Sequence, residues 1–230
     1  MRTLNCFVTG ASNGIGKEIA IELSNYAKHI YICSRNVKRL EEVHDQIIKR
    51  ACECTIVPLN LKERNGIENL ANQILIKDNS LDILILSAGT INTLSPVESI
   101  ELDKLNDVLT LNYVSNFRMI KNFHKLLKNS SNSHIGAISS LKNKSKEYYW
   151  GIYQPVMTAL NELLLTYAME NKNTNIKTNI FCPKAVNTDF RDLIIPGEDK
   201  QTISDPKNVA KKIVDYILNT KNSGQIIEIT

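Results

Sequence analysis

The sequence predicts an α/β fold: a doubly wound, seven-stranded parallel sheet flanked by helices. Three observations carry this. Short β-favouring apolar runs alternate with longer amphipathic stretches along most of the 230 residues. Several runs, LDILILS most clearly, are too continuously apolar to leave one face in water, the pattern of a sheet covered on both sides. Right-handed crossovers between parallel strands then place helices on each face. Finally, a glycine-rich turn, TGASNGIG, follows the first apolar run directly and opens the first amphipathic one.

Taken in order, Leu4–Thr9 is the first expected strand and Gly14–Tyr26 the first helix. Strand Ile30–Ser34 and helix Val37–Arg50 follow, then strand Thr55–Leu59 and helix Arg64–Ile76. Strand Leu81–Ser87 precedes one long helix, Leu102–Leu127. Strand Ile135–Ser139, helix Gln154–Glu170, strand Asn175–Phe181, helix Pro206–Leu218 and strand Gln225–Ile229 complete the alternation. Pro155 suits the opening turn of its helix, where a missing amide hydrogen costs nothing. No linker or composition break divides the chain, so one domain over residues 1–230 is expected, with a short lid at about 189–206.

Composition excludes several classes. Hydrophobic residues make up 43% and charged residues 23%, ordinary values for a soluble globular protein. No apolar run approaches the roughly 20 residues needed to span a membrane. The start, MRTLNCFVTG, reaches a glycine turn too soon for a secretory leader, so a cytoplasmic location is expected. Cys6, Cys33 and Cys182 lie in apolar runs as small hydrophobes, and Cys52 and Cys54 have the wrong spacing for a redox pair. His29, His44, His124 and His134 form no metal-ligand motif. The net charge of +4 is too modest for a nucleic-acid surface. Its densest part, Lys142, Lys144 and Lys146 in LKNKSK, reads as a solvated loop or as an attractor of anionic substrate.

In a doubly wound sheet, functional groups collect at the carboxyl ends of the strands. Within TGASNGIG, Gly10 permits a tight turn, Gly14 keeps the backbone close to a ligand, and Gly16 allows helix to pack on sheet. The amides of the helix start can receive a pyrophosphate, so a dinucleotide site is expected. The second strand ends in CSRN. A carboxylate there would bind a ribose 2′-hydroxyl, whereas Ser34 and Arg35 leave a guanidinium free to clamp a 2′-phosphate. NADP is thus preferred over NAD.

With these signals, LSAG at Leu86–Gly89, LN at Leu111–Asn112, ISS at Ile138–Ser140, Tyr153 and PKAVNT at Pro183–Thr188 fall in a specific order. The chain resembles, over essentially its whole length, the short-chain dehydrogenase/reductase family, and is similar to its compact ketoacyl and carbonyl reductases. The resemblance implies a Rossmann fold and a reaction in which NADP(H) and a small carbonyl substrate exchange a hydride. It assigns Gly10, Gly14 and Gly16, with Ser12, Asn13 and Ile15, to the pyrophosphate turn. Asn60 and Leu61 fall at the adenine, Ala88 and Gly89 at the adenosine ribose, and Pro183, Val186 and Thr188 at the nicotinamide. Asn112 matches a relay asparagine, Ser140 the residue that positions the carbonyl, and Tyr153 the general acid/base that also contacts cofactor. Each of these three has a plainer reading: a cap on local backbone, a strand terminus, a half-buried aromatic. The resemblance further implies a homodimer or homotetramer through the helices at Leu102–Leu127 and Gln154–Glu170.

The departures are as informative. Met157 stands where the family has lysine one turn beyond the tyrosine, Lys184 where it has glycine, and Asn60 where it has aspartate. That lysine lowers the tyrosine pKa and binds the nicotinamide ribose. A charge about 4 Å away at an effective dielectric near 20 is worth roughly 4 kcal/mol, or up to about 3 pKa units. Without it, a phenol titrating near 10 is a poor base, though still a proton donor. Two outcomes are open: a reductase with impaired proton transfer, or an inactive relative that binds NADP(H) as a regulatory or partner subunit. Lys184 is the leading candidate for a compensating cation, and Tyr148, Tyr149 and Trp150 for the wall of a substrate pocket.

Overall fold

The computed structural model of the chain describes residues 3–92, 94–141 and 148–230. The lysine run at 142–146 therefore lies outside the described residues. Strands β1 (Leu4–Thr9), β2 (Ala27–Ser34), β3 (Glu53–Pro58), β4 (Ile83–Leu86), β5 (Ser133–Ile138), β6 (Ile176–Pro183) and β7 (Gln225–Ile229) form one sheet. Its order is β3-β2-β1-β4-β5-β6-β7 and every pairing is parallel. The strand order reverses between β1 and β4, which opens a crevice beyond their carboxyl ends.

The helices are α1 (Gly14–Leu23), α2 (Val37–Ile48), α3 (Gly66–Asp78), α4 (Leu102–Leu109), α5 (Ser115–Asn129), α6 (Tyr153–Glu170), α7 (Asp189–Ile194) and α8 (Pro206–Asn219). One face of the sheet is covered by α3, α5 and α6, the other by α1, α2 and α8. The period-two pleat explains the continuous apolar strands: Phe7 of β1 enters the first layer, while its neighbours Cys6 and Val8 enter the second. Asp205 caps α8 by accepting from the Lys207 amide, with Pro206 at the first helical position.

Several expectations need correction. The helix expected at Leu102–Leu127 is divided by a π-helical segment, Thr110–Val114, that joins α4 to α5. Here the Ser115 amide bonds to the Thr110 carbonyl five residues back. Two side chains bond back to carbonyls of this segment. Ser115 Oγ donates to the Leu111 carbonyl at 2.5 Å, and Asn116 Nδ2 to the Asn112 carbonyl at 2.7 Å. The fourth strand is shorter than its apolar run. Leu81 is claimed by the end of α5 through the Leu126 carbonyl, and the Ser87 amide is turned aside onto Thr9 Oγ1. In contrast, β2 begins three residues before its predicted start, because Ala27 to His29 pair with β1. The segment predicted as a lid contains α7, and its Ser204 bridges back to Val186, just before the segment begins.

The five cysteines are free thiols. Among the described residues, no helix is long and apolar enough to cross a membrane, and no group of three His, Cys, Asp or Glu could hold a metal ion.

Candidate active site

A cavity of about 1390 Å³ lies over the carboxyl ends of β1 to β6. That exceeds the usual volume of a drug-sized pocket and leaves room for a dinucleotide beside a second molecule. Its base is the turn after β1. Gly10 has φ 66°, and a Cβ there would meet the Ser87 and Ala88 backbone at 2.9 Å, so only glycine fits. Ser12, Asn13, Gly14 and Ile15 face the cavity. Asn13 is the N-cap of α1 but makes no side-chain cap, which leaves the first amides of the helix without a protein side-chain partner at their cap. Gly16 is buried behind the turn, where a Cβ would strike the Gly10 carbonyl oxygen at 2.6 Å, in keeping with the close helix-on-sheet packing expected of it.

Thr9 sets this crevice, and no motif announced it. Its hydroxyl donates to the Ile85 carbonyl at 3.1 Å and accepts from the Ser87 and Ala88 amides at 2.9 and 3.1 Å. This one buried side chain fixes Ala88 and Gly89 against the glycine turn.

Beyond β2, Ser34 and Arg35 line the cavity, and so does Arg39 from the first turn of α2. Ser34 Oγ accepts from the Asn36 amide at 3.0 Å, shaping the turn that presents Arg35. Asn60 and Leu61 also line it. The Asn60 side-chain oxygen Oδ1 accepts from the Lys62 amide at 3.3 Å, so its amino group is the part left to face a ligand. On the far side, Pro183, Val186 and Thr188 line the cavity, with the Thr188 methyl 3.2 Å from where a Gly14 Cβ would sit.

At the opposite end, Asn112, Ser140, Tyr153 and Met157 all line the same cavity. Tyr153 opens α6, its ring set between Trp150 at 5.8 Å and Phe190 at 5.9 Å, both in tilted or edge contact. Trp150 alone of the three predicted aromatics faces the cavity; Tyr148 and Tyr149 are exposed outside its lining. Ser140 is held by its carbonyl, which accepts from Asn161 Nδ2 at 3.2 Å, while Ser139 Oγ donates to Asn161 Oδ1 at 2.5 Å.

Asn112 sits in the π segment and is 1% exposed. Its side chain clamps the backbone of Thr90, accepting from the amide at 2.8 Å and donating to the carbonyl at 2.7 Å. The same amino group lies 3.6 Å from Met157 Sδ. Met157 is 4% exposed and belongs to the apolar layer, so the place of the family's lysine is filled by core. Asn116, missed in the sequence, completes the floor: its Oδ1 is buried without a partner while its amino group serves the Asn112 carbonyl.

These contacts set the electrostatics. Burial pushes the Tyr153 phenol above its ordinary value and Cys182 adds to the rise; among the described residues no cation pulls it down. Lys184, the leading candidate for a substitute, is exposed on the rim and is not among the groups acting on the phenol.

The fold and this arrangement define an α/β protein with its cleft at the strand reversal. The short chain dehydrogenase family model matches residues 5–199, and the chain belongs to that family, with Met157 at the position of its active-site lysine. The chain is similar to a tropinone reductase homolog of Arabidopsis thaliana, 26% identical over 189 residues, which are 82% of this chain and 72% of that protein. A rhamnolipids biosynthesis 3-oxoacyl-acyl-carrier-protein reductase of Pseudomonas aeruginosa is 27% identical over 183 residues, covering 76% of this chain and 70% of the relative. In fold it matches an alcohol dehydrogenase of the archaeon Thermococcus sibiricus complexed with 5-hydroxy-NADP. The TM-score is 0.88 at 21% identity, over 98% of this chain and 95% of that one.

Proposed function

We propose that this protein binds NADP(H) and reduces the carbonyl group of a small, largely apolar molecule, with proton delivery slowed by Met157. The observation that supports it is the sharing of one cavity by the phosphate turn, Arg35, Ser140 and Tyr153. Family membership and the cofactor named for the Thermococcus sibiricus relative point the same way.

The residues present fit such a cofactor. Gly10, Ser12, Asn13, Gly14 and Ile15 border the cavity, and the start of α1 offers amides to a pyrophosphate. Arg35 would hold a 2′-phosphate, Asn60 and Leu61 the adenine, and Thr188 the carboxamide. When bound, NADPH supplies the hydride. Ser140 would hold the carbonyl oxygen by a hydrogen bond, and Tyr153 Oη would donate its proton to that oxygen as charge develops. The rings of Trp150 and Phe190 and the side chains of Leu141 and Ile194 favour an apolar substrate body.

Burial and the missing lysine decide the direction. A phenol raised above its usual range is un-ionised at neutral pH, which suits donation and disfavours proton abstraction. Carbonyl reduction should therefore outrun alcohol oxidation. The test begins with Trp150, the single tryptophan. Its fluorescence should be quenched by NADPH, and a panel of apolar ketones and aldehydes should then oxidise NADPH above background. A flat titration to millimolar NADPH defeats the cofactor assignment; binding without turnover across the panel defeats the reductase.

The latter outcome would favour the second reading, an inactive NADP(H)-binding member. Met157 embedded in the apolar layer supports it. We also propose a homodimer or homotetramer through α5 and α6, where Phe117 and Met169 are exposed. A single monomeric species in sedimentation velocity would count against it.

A further inference from the structure

Arg39 and Asp189 meet across the cavity mouth. Arg39 Nη1 lies 3.1 Å from Asp189 Oδ2, with the side chains 48% and 62% exposed. Arg39 is in the first turn of α2, and Asp189 is the first residue of α7. The pair therefore ties the end of the cavity that holds Arg35 to the segment after β6. Lys38 and Arg39 occupy the opening turn of α2 and no carboxylate does, an order that opposes the helix dipole. The charge of Arg39 is answered instead by a residue 150 positions away.

We propose that Arg39 is a second determinant of NADP over NAD, and that Asp189 is the group a 2′-phosphate displaces from it. This rests on the reading that NADP(H) occupies the cavity. Arg35 and Arg39 flank Asn36, the N-cap of α2, so a phosphate held by Arg35 comes within reach of both flexible guanidinium groups. A guanidinium fork fits phosphate as well as carboxylate, and a phosphate carrying nearly two charges is the stronger partner. An exposed ion pair holds weakly in water, so the exchange meets little resistance. Once the phosphate arrives, the Asp189 carboxylate stands beside a like charge and must withdraw, taking the start of α7 with it. NADH brings no competitor, and the pair stays closed. Coenzyme choice and the position of α7 are thus coupled through one ion pair.

The test is a double-mutant cycle on the full chain, reading NADPH and NADH affinities from Trp150 quenching. Asp189→Asn should tighten NADPH about 3- to 10-fold and change NADH less than about twofold. Arg39→Met should weaken NADPH about tenfold and leave NADH unchanged. In the Arg39→Met background, Asp189→Asn should shift NADPH by less than about twofold. Hydrogen exchange supplies a second readout: residues 189–194 of the unsubstituted protein should exchange faster with NADPH bound than with NADH, and this difference should vanish in Asp189→Asn. Weaker or unchanged NADPH binding in Asp189→Asn overturns the proposal. So does equal tightening of both coenzymes, which would be bulk charge alone, or an effect undiminished without Arg39. If the unsubstituted protein binds neither coenzyme, the cofactor reading itself falls, an outcome distinct from all of these.

Discussion

The glycine-turn end and the Tyr153 end of the cavity carry opposite kinds of constraint. At the glycine turn the requirement is on the backbone: Gly10 has a positive φ and no space for a Cβ, and Gly16 abuts a carbonyl oxygen. Any change there deforms the turn that the first strand and helix share. At the Tyr153 end the question is one of charge. Met157 fills an apolar niche at 4% exposure, close in length to a lysine and without a cation to desolvate. The fold accommodates methionine there, so a lysine at this position would answer to the site and its cofactor, not to the scaffold. An intact scaffold is thus no guarantee of intact chemistry, since the two rest on different physics.

The contrast is broken most severely at the turn. Gly10→Val adds a branched side chain at φ 66°, against backbone 2.9 Å away. The expected cost is about 3 kcal/mol or more, a fall of roughly 6–12 °C in Tm for a chain of this size, with NADPH binding lost. Thermal denaturation and Trp150 quenching measure both. A variant that melts normally and binds NADPH would show that the turn tolerates a side chain and refute the backbone account.

Met157→Lys tests the other end. If the lysine stays charged, carbonyl reduction should rise at least about tenfold while NADPH affinity changes less than about threefold. The pH profile carries the sign. The proton-donating phenol persists below its pKa, which burial holds above the ordinary range in the unsubstituted protein. Its reductive rate should therefore show no alkaline fall from Tyr153 up to about pH 10, whereas the variant should lose rate at lower pH because the ammonium pulls the phenol down. No gain in rate, with the alkaline limb unmoved, would mean the buried lysine has become neutral or that protons arrive by another route.

Arg35→Ser should have a smaller effect, confined to one coenzyme. Loss of charge-assisted bonds to a 2′-phosphate weakens binding about 10- to 100-fold, so NADPH affinity should fall by that factor and NADH affinity by less than about twofold. Equal losses for both would place Arg35 elsewhere than at the phosphate.

Most of the sheet was legible because continuous apolar runs have one outcome in a parallel sheet covered on both faces. The phosphate turn was legible because glycine marks backbone geometry directly. What escaped reading depended on partners distant in sequence. Thr9 looks like a strand terminus until Ile85, Ser87 and Ala88 arrive beside it. The π segment is invisible in a 3.6-residue pattern that runs smoothly from Leu102 to Leu127; its marks are the Ser115 and Asn116 side chains bonding one turn back. Arg39 gave a weak signal, a cation where a helix prefers an anion, but its partner Asp189 lies 150 residues on. Lys184 reaches the cavity rim without acting on the Tyr153 phenol, because a position at a strand end says where a residue begins and nothing about where a long, exposed side chain goes.

Asn116→Leu should give the smallest effect of all, and its interest lies in two cancelling parts. Asn116 is 3% exposed, with its amino group on the Asn112 carbonyl and its Oδ1 unpartnered. Leucine removes that bond to the Asn112 carbonyl, at a cost of about 0.5–1.5 kcal/mol. It also removes a buried acceptor that had no donor, recovering a similar amount. The net change should stay within about 1 kcal/mol, or roughly 2–4 °C in Tm. The rate gain from Met157→Lys should nevertheless shrink in this background. Met157 and Asn116 both touch Asn112 and line the cavity, so Asn116 Oδ1, unpartnered among the described residues, is the expected acceptor for a new ammonium. A loss above about 3 kcal/mol would instead show that the amide cap holds the π turn together. An undiminished gain would show that the lysine finds its hydrogen bonds without Asn116.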